Sequence, residues 1–385
     1  MPPNTSILSQ ADTVESPQGS SRRVVLDGLR FLTAGLIVLF HYQSEGPRSL
    51  TGFSPLFQRG YLATDFFLIL SAYVLGRAYG RKVLSGAVSD ERFLAKRLLR
   101  VWPAHIIVLA AFAAVVGLSA TIGLTTHDPA QLQWSNLPAQ ALLIHAWGLD
   151  LGAGWNLPTW SLSALVVCYA AFPSLWRKLS RVSGALLLFG GGVAVIWAAN
   201  VLSQSLYGRV LYDLPFNLGV LRALPLFAFG ACIARASELN WPSERLAPVM
   251  AVVAGVMVIG LQFVGRFDLL SMILLGVLIA AGGVIRAPRG ASFAALAGRI
   301  SFALYITHIL VAMVWFRLTH IVIEGLHLSE PVQWALWAMA FPLAVATALA
   351  FERWIDSPVQ AVVNRWADRL TFRRSATVAS EAAPR

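Results

Sequence analysis

Long apolar stretches recur along this chain, separated by short polar breaks. Each approaches the roughly 20 residues that an α-helix needs to cross the hydrocarbon core of a bilayer. About ten such stretches are present, with approximate cores at Val25–His41, Tyr61–Tyr79, Val101–Leu124, Trp160–Trp176, Ala185–Leu202, Phe216–Ala234, Leu246–Val264, Leu269–Ile285, Ile300–Phe316 and Val332–Trp354. The pattern predicts an all-α, polytopic membrane bundle of about ten transmembrane helices.

Lysine and arginine are concentrated in the terminal segments and in alternate loops, among them the segments around Arg81 and Lys96 and the loop after Trp176. Short cytoplasmic loops are enriched in these residues. The asymmetry predicts that both termini are cytoplasmic. On this basis we divide the chain into a disordered leader (1–23), a transmembrane domain (24–358) and a basic tail (359–385).

The composition supports the membrane assignment, because 57% of the residues are hydrophobic and only 13% are charged. A soluble domain carries about 25% charged residues. The net charge of +11 is explained by inner loops and a tail that face anionic lipid, so we expect the bilayer, and no nucleic acid, as a partner. Cys168 and Cys232 lie inside predicted spans, where we expect small buried side chains and no metal site.

Ionisable residues within a membrane span are costly and often mark a site. Arg30 and His41 lie 11 positions apart in the first stretch, which places them near one helix face and about 16 Å apart. Such a pair suits a long anionic donor such as acyl-CoA, with Arg30 on a phosphate and His41 taking the proton from an acceptor hydroxyl. Alternatively, Arg30 extends to the inner surface and His41 caps the helix.

The first stretch resembles the opening helix of the acyltransferase-3 family of membrane O-acyltransferases, through the segment LDGLRFLTAGLIVLFHY. That family carries an Arg and a His separated by ten residues, matched here by Arg30 and His41. The second stretch is similar to the family's second helix through GYLATDFFLILSAYVLG, with Asp65 in the family's place. The third is similar through FLAKRLLRVWPAHIIVL, where Arg97 and Arg100 match an RxxR pattern.

Three later segments extend the resemblance over roughly Leu26 to Pro358: NLPTWSLSALVVCYAAFP resembles the family's WSLSVE segment, ISFALYITHIL its SxxLYxxH helix and ERWIDSPV its closing helix. Two positions depart from the pattern. The glutamate that commonly follows WSLS is absent, since Ala164 and Leu165 stand there. The closing helix has Asp356 where glutamate is usual.

The resemblance implies an enzyme of the bacterial inner membrane that transfers an acyl group, with acetyl expected, from acyl-CoA to a hydroxyl of a carbohydrate, exopolysaccharide or glycolipid. Acyl-CoA is then a donor substrate, and no bound cofactor is implied. The implied catalytic residues are His41, as base or nucleophile, Arg30 and Asp65. Those implied for donor phosphates are Arg30, Arg97 and Arg100. Those implied for the acceptor are Trp160, Ser161, Ser163, Tyr305 and His308.

Several alternatives stay open at this stage. Asp65 either orients His41 or pairs with an arginine, and Arg97 and Arg100 are alternatively plain inner-loop charge. A transporter or flippase also carries buried charged residues among many helices, and a catalytically silent relative would lack the glutamate. The remaining histidines near predicted outer segments, which are His127, His145, His320 and His327, are expected at the surface.

Overall fold

The computed structural model describes residues 17–123, 132–149, 154–286 and 292–365, and within these ranges the regular structure is helical throughout. The α-helices are α1 Pro17–Tyr42, α2 Tyr61–Leu84, α3 Asp90–Thr121, α4 Leu137–Ala141, α5 Trp160–Leu179, α6 Ala185–Tyr207, α7 Gly219–Glu238, α8 Ala247–Val264, α9 Asp268–Gly282, α10 Ser292–Leu326 and α11 Glu330–Phe351. Because α1 begins at Pro17, it takes in the last residues assigned to the leader. The rest of the leader, most of the basic tail and His127 lie outside the described residues.

The predicted bundle is confirmed, with one difference in helix length. Within the described ranges, nine helices are long and apolar enough to cross a membrane. The remaining predicted span, Leu269–Ile285, corresponds to α9, an apolar helix of 15 residues. At a rise of 1.5 Å per residue it extends about 22 Å, which is less than the roughly 30 Å thickness of the hydrocarbon core. The cytoplasmic position of both termini stays a prediction.

The helices α2, α5 and α7 form the centre of the bundle, where most of each span is buried against other helices. Glycines allow them to approach closely. A Cβ atom at Gly230 of α7 would collide with the carbonyl of Ile69 on α2, and one at Gly76 of α2 would collide with Trp176 of α5. Small residues at such contacts are the usual means of close packing between membrane helices. The peripheral helices α6 and α8 are mostly unburied.

Two large apolar clusters make up most of the interior, and a small third one contains Leu188, Cys232 and Ala236. One surrounds α2, α5, α7 and α9 and includes Phe66, Trp176 and Phe229. The other surrounds α1, α3, α10 and α11 and includes Ile37, Phe112 and Phe316. Polar residues from different helices meet in the interior, where His41 of α1 contacts His308 of α10 and Ser161 of α5 contacts Tyr305 of α10.

The described part of the connection between α3 and α5, residues 132–149 and 154–159, includes a segment that contacts α3. Its carbonyl groups accept hydrogen bonds from α3, with Trp102 Nε1 donating to Ala141 at 2.7 Å and His105 Nε2 lying 2.8 Å from the carbonyl of Gln140. The expectation that His145 lies at the surface is wrong, since the side chain is 1% exposed. Its burial lowers the pKa of His145 to about 4, because a buried site disfavours the charged form. The sequence does not show whether a loop histidine is exposed or, like His145, buried by a loop that turns inward.

The regular α-helical hydrogen-bond pattern is interrupted after α11. A π-helical turn spans Glu352–Asp356, and the backbone stays helical to Arg365. Such turns occur frequently at functional sites because they re-aim one side chain out of the regular spacing. Here the turn buries Asp356.

Candidate active site

Two cavities lie on either side of a thin polar layer. The histidine cavity, about 380 Å³, is lined by His41, Tyr61, Trp160, Tyr212 and Arg222 among others. The arginine cavity, about 420 Å³, is lined by residues that include Arg30, Arg97, Arg100, Arg299 and Tyr305. One cavity therefore presents an imidazole among aromatic rings, and the other presents a group of guanidinium side chains.

His41 is paired with a second histidine. Its Nδ1 atom lies 2.9 Å from Nε2 of His308, and the two rings are stacked with centroids 5.0 Å apart. His41 comes from the last turn of α1, whereas His308 lies within α10 and is fully buried. The sequence singled out both residues, and the structure brings them into direct contact.

The layer between the cavities is built from hydroxyl groups. The hydroxyl of Tyr305 donates to the carbonyl of Pro158 at 2.7 Å, and it lies 2.7 Å from the hydroxyl of Ser161. Tyr305 and Ser161 line the arginine cavity, while Pro158 and Thr64 line the histidine cavity.

The three arginines predicted to bind the donor line the arginine cavity, and each has a hydrogen-bond or ion-pair partner. Arg30 lies 3.1 Å from Asp27. Arg97 donates to the hydroxyl of Tyr79 at 2.6 Å, and Arg100 makes two 3.2 Å hydrogen bonds to Asp356. The three predicted donor-binding arginines are therefore together in one cavity. Both bonds of Arg100 come from Nη1, and a guanidinium group can bind a phosphate as well as a carboxylate.

A larger cavity of about 750 Å³ adjoins the arginine cavity. The two share Arg97, Arg100 and Arg299 as lining residues, and the larger one adds Lys96 and Asn364 from the segments that flank it. The shared side chains are all arginines, and carboxylates also line the two cavities, Glu352 and Asp356 in the larger one and Asp27 in the arginine cavity.

Asp65 pairs with an arginine rather than with His41. Arg222 donates to both carboxylate oxygens of Asp65 at 2.9 Å. Both side chains are buried, with 0% of Asp65 and 6% of Arg222 exposed. Arg222 also donates to the carbonyl of Tyr212 at 2.8 Å, and its guanidinium lies 5.4 Å from the ring centre of Trp160. The pair thus supports the wall of the histidine cavity.

The predicted acceptor-binding residues other than His308 divide into three groups. Trp160 lines the histidine cavity, while Ser161 and Tyr305 lie in the layer between the cavities. Ser163 lines neither cavity. Its hydroxyl donates to the carbonyl of Leu143 and accepts from the amide of Ala146, so it fastens the inward-folded loop to α5.

Some residues of the site escaped the reasoning from sequence. Arg299 lies just before a predicted span, where arginine is common in inner loops, and Tyr212 lies in a short 3₁₀-helical segment without a pattern of its own. Leu165, which replaces the glutamate of the family pattern, lines the arginine cavity. The carboxylate present in that cavity is Asp27, whose position inside an apolar stretch was the available signal.

Comparison with known proteins gives a consistent result. The acyltransferase-3 family model, described as an acyltransferase domain, matches residues 23–353. The chain is 29% identical over 188 residues to Protein 2 in the picA locus of Rhizobium radiobacter, a match that covers 46% of this chain and 95% of that protein. No solved structure matches the chain.

Two further relatives are matched over shorter segments. The chain is 29% identical over 151 residues to acyltransferase MdmB of Streptomyces mycarofaciens, covering 38% of this chain and 36% of the relative. It is 28% identical over 158 residues to the protein BcsY of Komagataeibacter xylinus, covering 39% and 36%. The chain therefore spans about a third of the length of these two relatives.

Proposed function

This chain belongs to the acyltransferase-3 family of membrane acyltransferases, and on that premise we propose that it transfers an acetyl group from acetyl-CoA to a hydroxyl of a carbohydrate-containing acceptor at a bacterial inner membrane. The observation that carries the proposal is that two cavities with different linings lie on the two sides of Tyr305. One is rich in arginine, and the other holds His41 among aromatic rings. The arginines are suited to the phosphates of the donor, and His41 is suited to the hydroxyl of the acceptor.

The donor side is supported by charge and by shape. The nucleotide of acetyl-CoA carries several phosphate charges, and guanidinium groups bind phosphate through paired hydrogen bonds. The 750 Å³ cavity and the arginine cavity share their arginines, so the nucleotide can occupy the first while the pantetheine arm extends into the second. The thioester at the end of the arm then approaches the layer formed by Tyr305 and Ser161.

The acceptor side is supported by the aromatic lining of the histidine cavity. Tyr61 and Tyr212 stack with ring centroids 5.9 Å apart, and Trp160 lies on the same cavity wall. Arg209 and Asp213 add hydrogen-bonding groups at 3.5 Å from each other. Pockets that combine apolar rings with a few convergent polar groups are typical of small-molecule sites, and this combination suits the apolar faces and hydroxyl groups of a sugar.

In the proposed reaction His41 acts as a general base. The acceptor oxygen attacks the carbonyl carbon of the thioester while His41 takes the hydroxyl proton. A C–O bond forms, the C–S bond breaks, and the proton passes from His41 to the departing thiolate. The products are an O-acetyl ester and free CoA thiol, so atoms and charge balance without an additional reactant.

We predict that removal of Arg97 and Arg100 weakens donor binding. Because Asp356 is buried and pairs with Arg100, the change is made in an Asp356→Asn background to avoid an unpaired charge. Arg97→Ala/Arg100→Ala/Asp356→Asn is expected to raise the KM for acetyl-CoA about tenfold or more relative to Asp356→Asn, since a charged hydrogen bond contributes about 1.5–3 kcal/mol. Initial rates of transfer from labelled acetyl-CoA measure the effect.

The matched control is Arg81→Ala/Arg92→Ala, which removes the same charge from exposed positions that line neither cavity. This control is expected to keep the parental KM. If the control and the triple variant raise KM equally, the arginines act only through general positive charge, and the proposed donor site is rejected.

A further inference from the structure

We propose that His308 is a positioning residue that fixes the tautomer and orientation of His41, so that Nε2 of His41 carries the reactive lone pair. The inference rests on the proposed function, since it assigns the partner of the general base. It replaces the role expected from the sequence, where His308 was placed among the acceptor-binding residues.

The hydrogen-bond chain determines which nitrogen atoms carry protons. Nδ1 of His308 lies 3.0 Å from the carbonyl oxygen of Leu304, and a carbonyl only accepts, so this nitrogen is protonated. A neutral imidazole has one N–H and one acceptor nitrogen. Nε2 of a neutral His308 is therefore an acceptor.

The same reasoning extends to His41. Its Nδ1 atom lies 2.9 Å from Nε2 of His308, and that acceptor requires a donor, so Nδ1 of His41 is protonated. The lone pair of a neutral His41 then lies on Nε2. Since His41 lines the histidine cavity, the chain from Leu304 through His308 leaves the basic nitrogen for the acceptor. A second group that sets the tautomer of a catalytic histidine is the logic of serine hydrolase triads.

The surroundings of His308 fit a positioning role better than a contact with the acceptor. His308 is 0% exposed and lines neither the histidine cavity nor the arginine cavity. Its backbone carbonyl accepts a hydrogen bond from the hydroxyl of Tyr42 at 2.7 Å. This contact ties α10 to the residue that follows His41 on α1, so the separation of the two imidazole rings is held from both helices.

The test compares His308→Gln with His308→Leu. A glutamine can place a carbonyl oxygen near the position of Nε2 and accept from His41, whereas leucine fills similar space and accepts nothing. We expect His308→Leu to lower kcat about 10- to 100-fold, by comparison with the loss that follows removal of the hydrogen-bond partner of a metal-ligating histidine. His308→Gln is expected to keep at least about ten times the kcat of the leucine variant, with the KM for acetyl-CoA unchanged in both.

Each outcome decides the proposal. If His308→Gln and His308→Leu have the same kcat, or if the loss appears in KM rather than in kcat, His308 does not position His41. His308→Met serves as the apolar variant if the leucine variant does not accumulate in membranes. His41→Ala is assayed in parallel, because an active His41→Ala refutes the proposed function, whereas an inactive His41→Ala with equal His308 variants refutes only this inference.

Discussion

Replacement of His41 by alanine is expected to reduce acetyl transfer about 10²- to 10⁴-fold, the usual effect of losing a general base. The reason is geometric, because His41 lines the aromatic cavity and its Nδ1 atom is held by His308 at 2.9 Å. The measurement is the transfer of labelled acetyl from acetyl-CoA to envelope material, normalised to the amount of protein in the membrane.

The control for this variant is His327→Asn. His327 is an exposed histidine with a φ angle of 49°, a conformation that asparagine adopts more readily than most residues. It lines neither the histidine cavity nor the arginine cavity, so transfer is expected at the parental rate. Parental transfer by His41→Ala at a normal level in membranes would show that His41 is not the base.

A second large effect is expected at the buried ion pair. Asp65→Ala leaves the guanidinium of Arg222 buried without its carboxylate, and breaking a buried pair in this way costs about 3–5 kcal/mol. The variant should unfold at a clearly lower temperature in detergent and accumulate less in membranes. Thermal unfolding monitored by intrinsic tryptophan fluorescence is a suitable measurement.

The double variant Asp65→Leu/Arg222→Leu shows whether the unpaired guanidinium causes the loss of stability. Replacing both members of a buried ion pair by apolar residues is often neutral for stability, so the double variant should recover most of the lost unfolding temperature. If the double variant is as unstable as Asp65→Ala, removing the unpaired guanidinium gives no gain. The Arg222 hydrogen bonds to the carbonyls of Tyr61 and Tyr212, which only the double variant loses, then contribute as much stability as the unpaired charge costs.

The membrane helices were predictable because the length and apolar content of a span are local properties of the sequence. The length of α9 was harder to predict from the sequence. The apolar stretch continues to Ile285, but the helix ends at Gly282 and is followed by Gly283, and glycine is a common residue at such ends. Sequence alone does not show which glycine terminates a membrane helix and which one packs inside it.

The sequence indicated several individual residues of the candidate site, but it did not indicate which of them contact one another. The family resemblance marked Asp65, yet its partner Arg222 is 157 positions away, and nothing local indicates that the two meet. The same is true of His41 and His308, which are 267 positions apart. Arg299 was overlooked because an arginine near a helix start resembles ordinary inner-loop charge, whereas only the packing of α10 against α3 brings it beside Arg97 and Arg100.

The central claim is that the donor enters from the arginine side and the acceptor is modified from the histidine side. Membrane vesicles of both orientations, prepared from cells that contain the native acceptor, test it directly because acetyl-CoA does not cross a bilayer. The predicted orientation places the arginine side in the cytoplasm, so labelled acetyl-CoA added outside should be used by inside-out vesicles and not by right-side-out vesicles, and His41→Ala vesicles should incorporate no label. Equal incorporation by vesicles of both orientations, or by the His41→Ala vesicles, would contradict the claim.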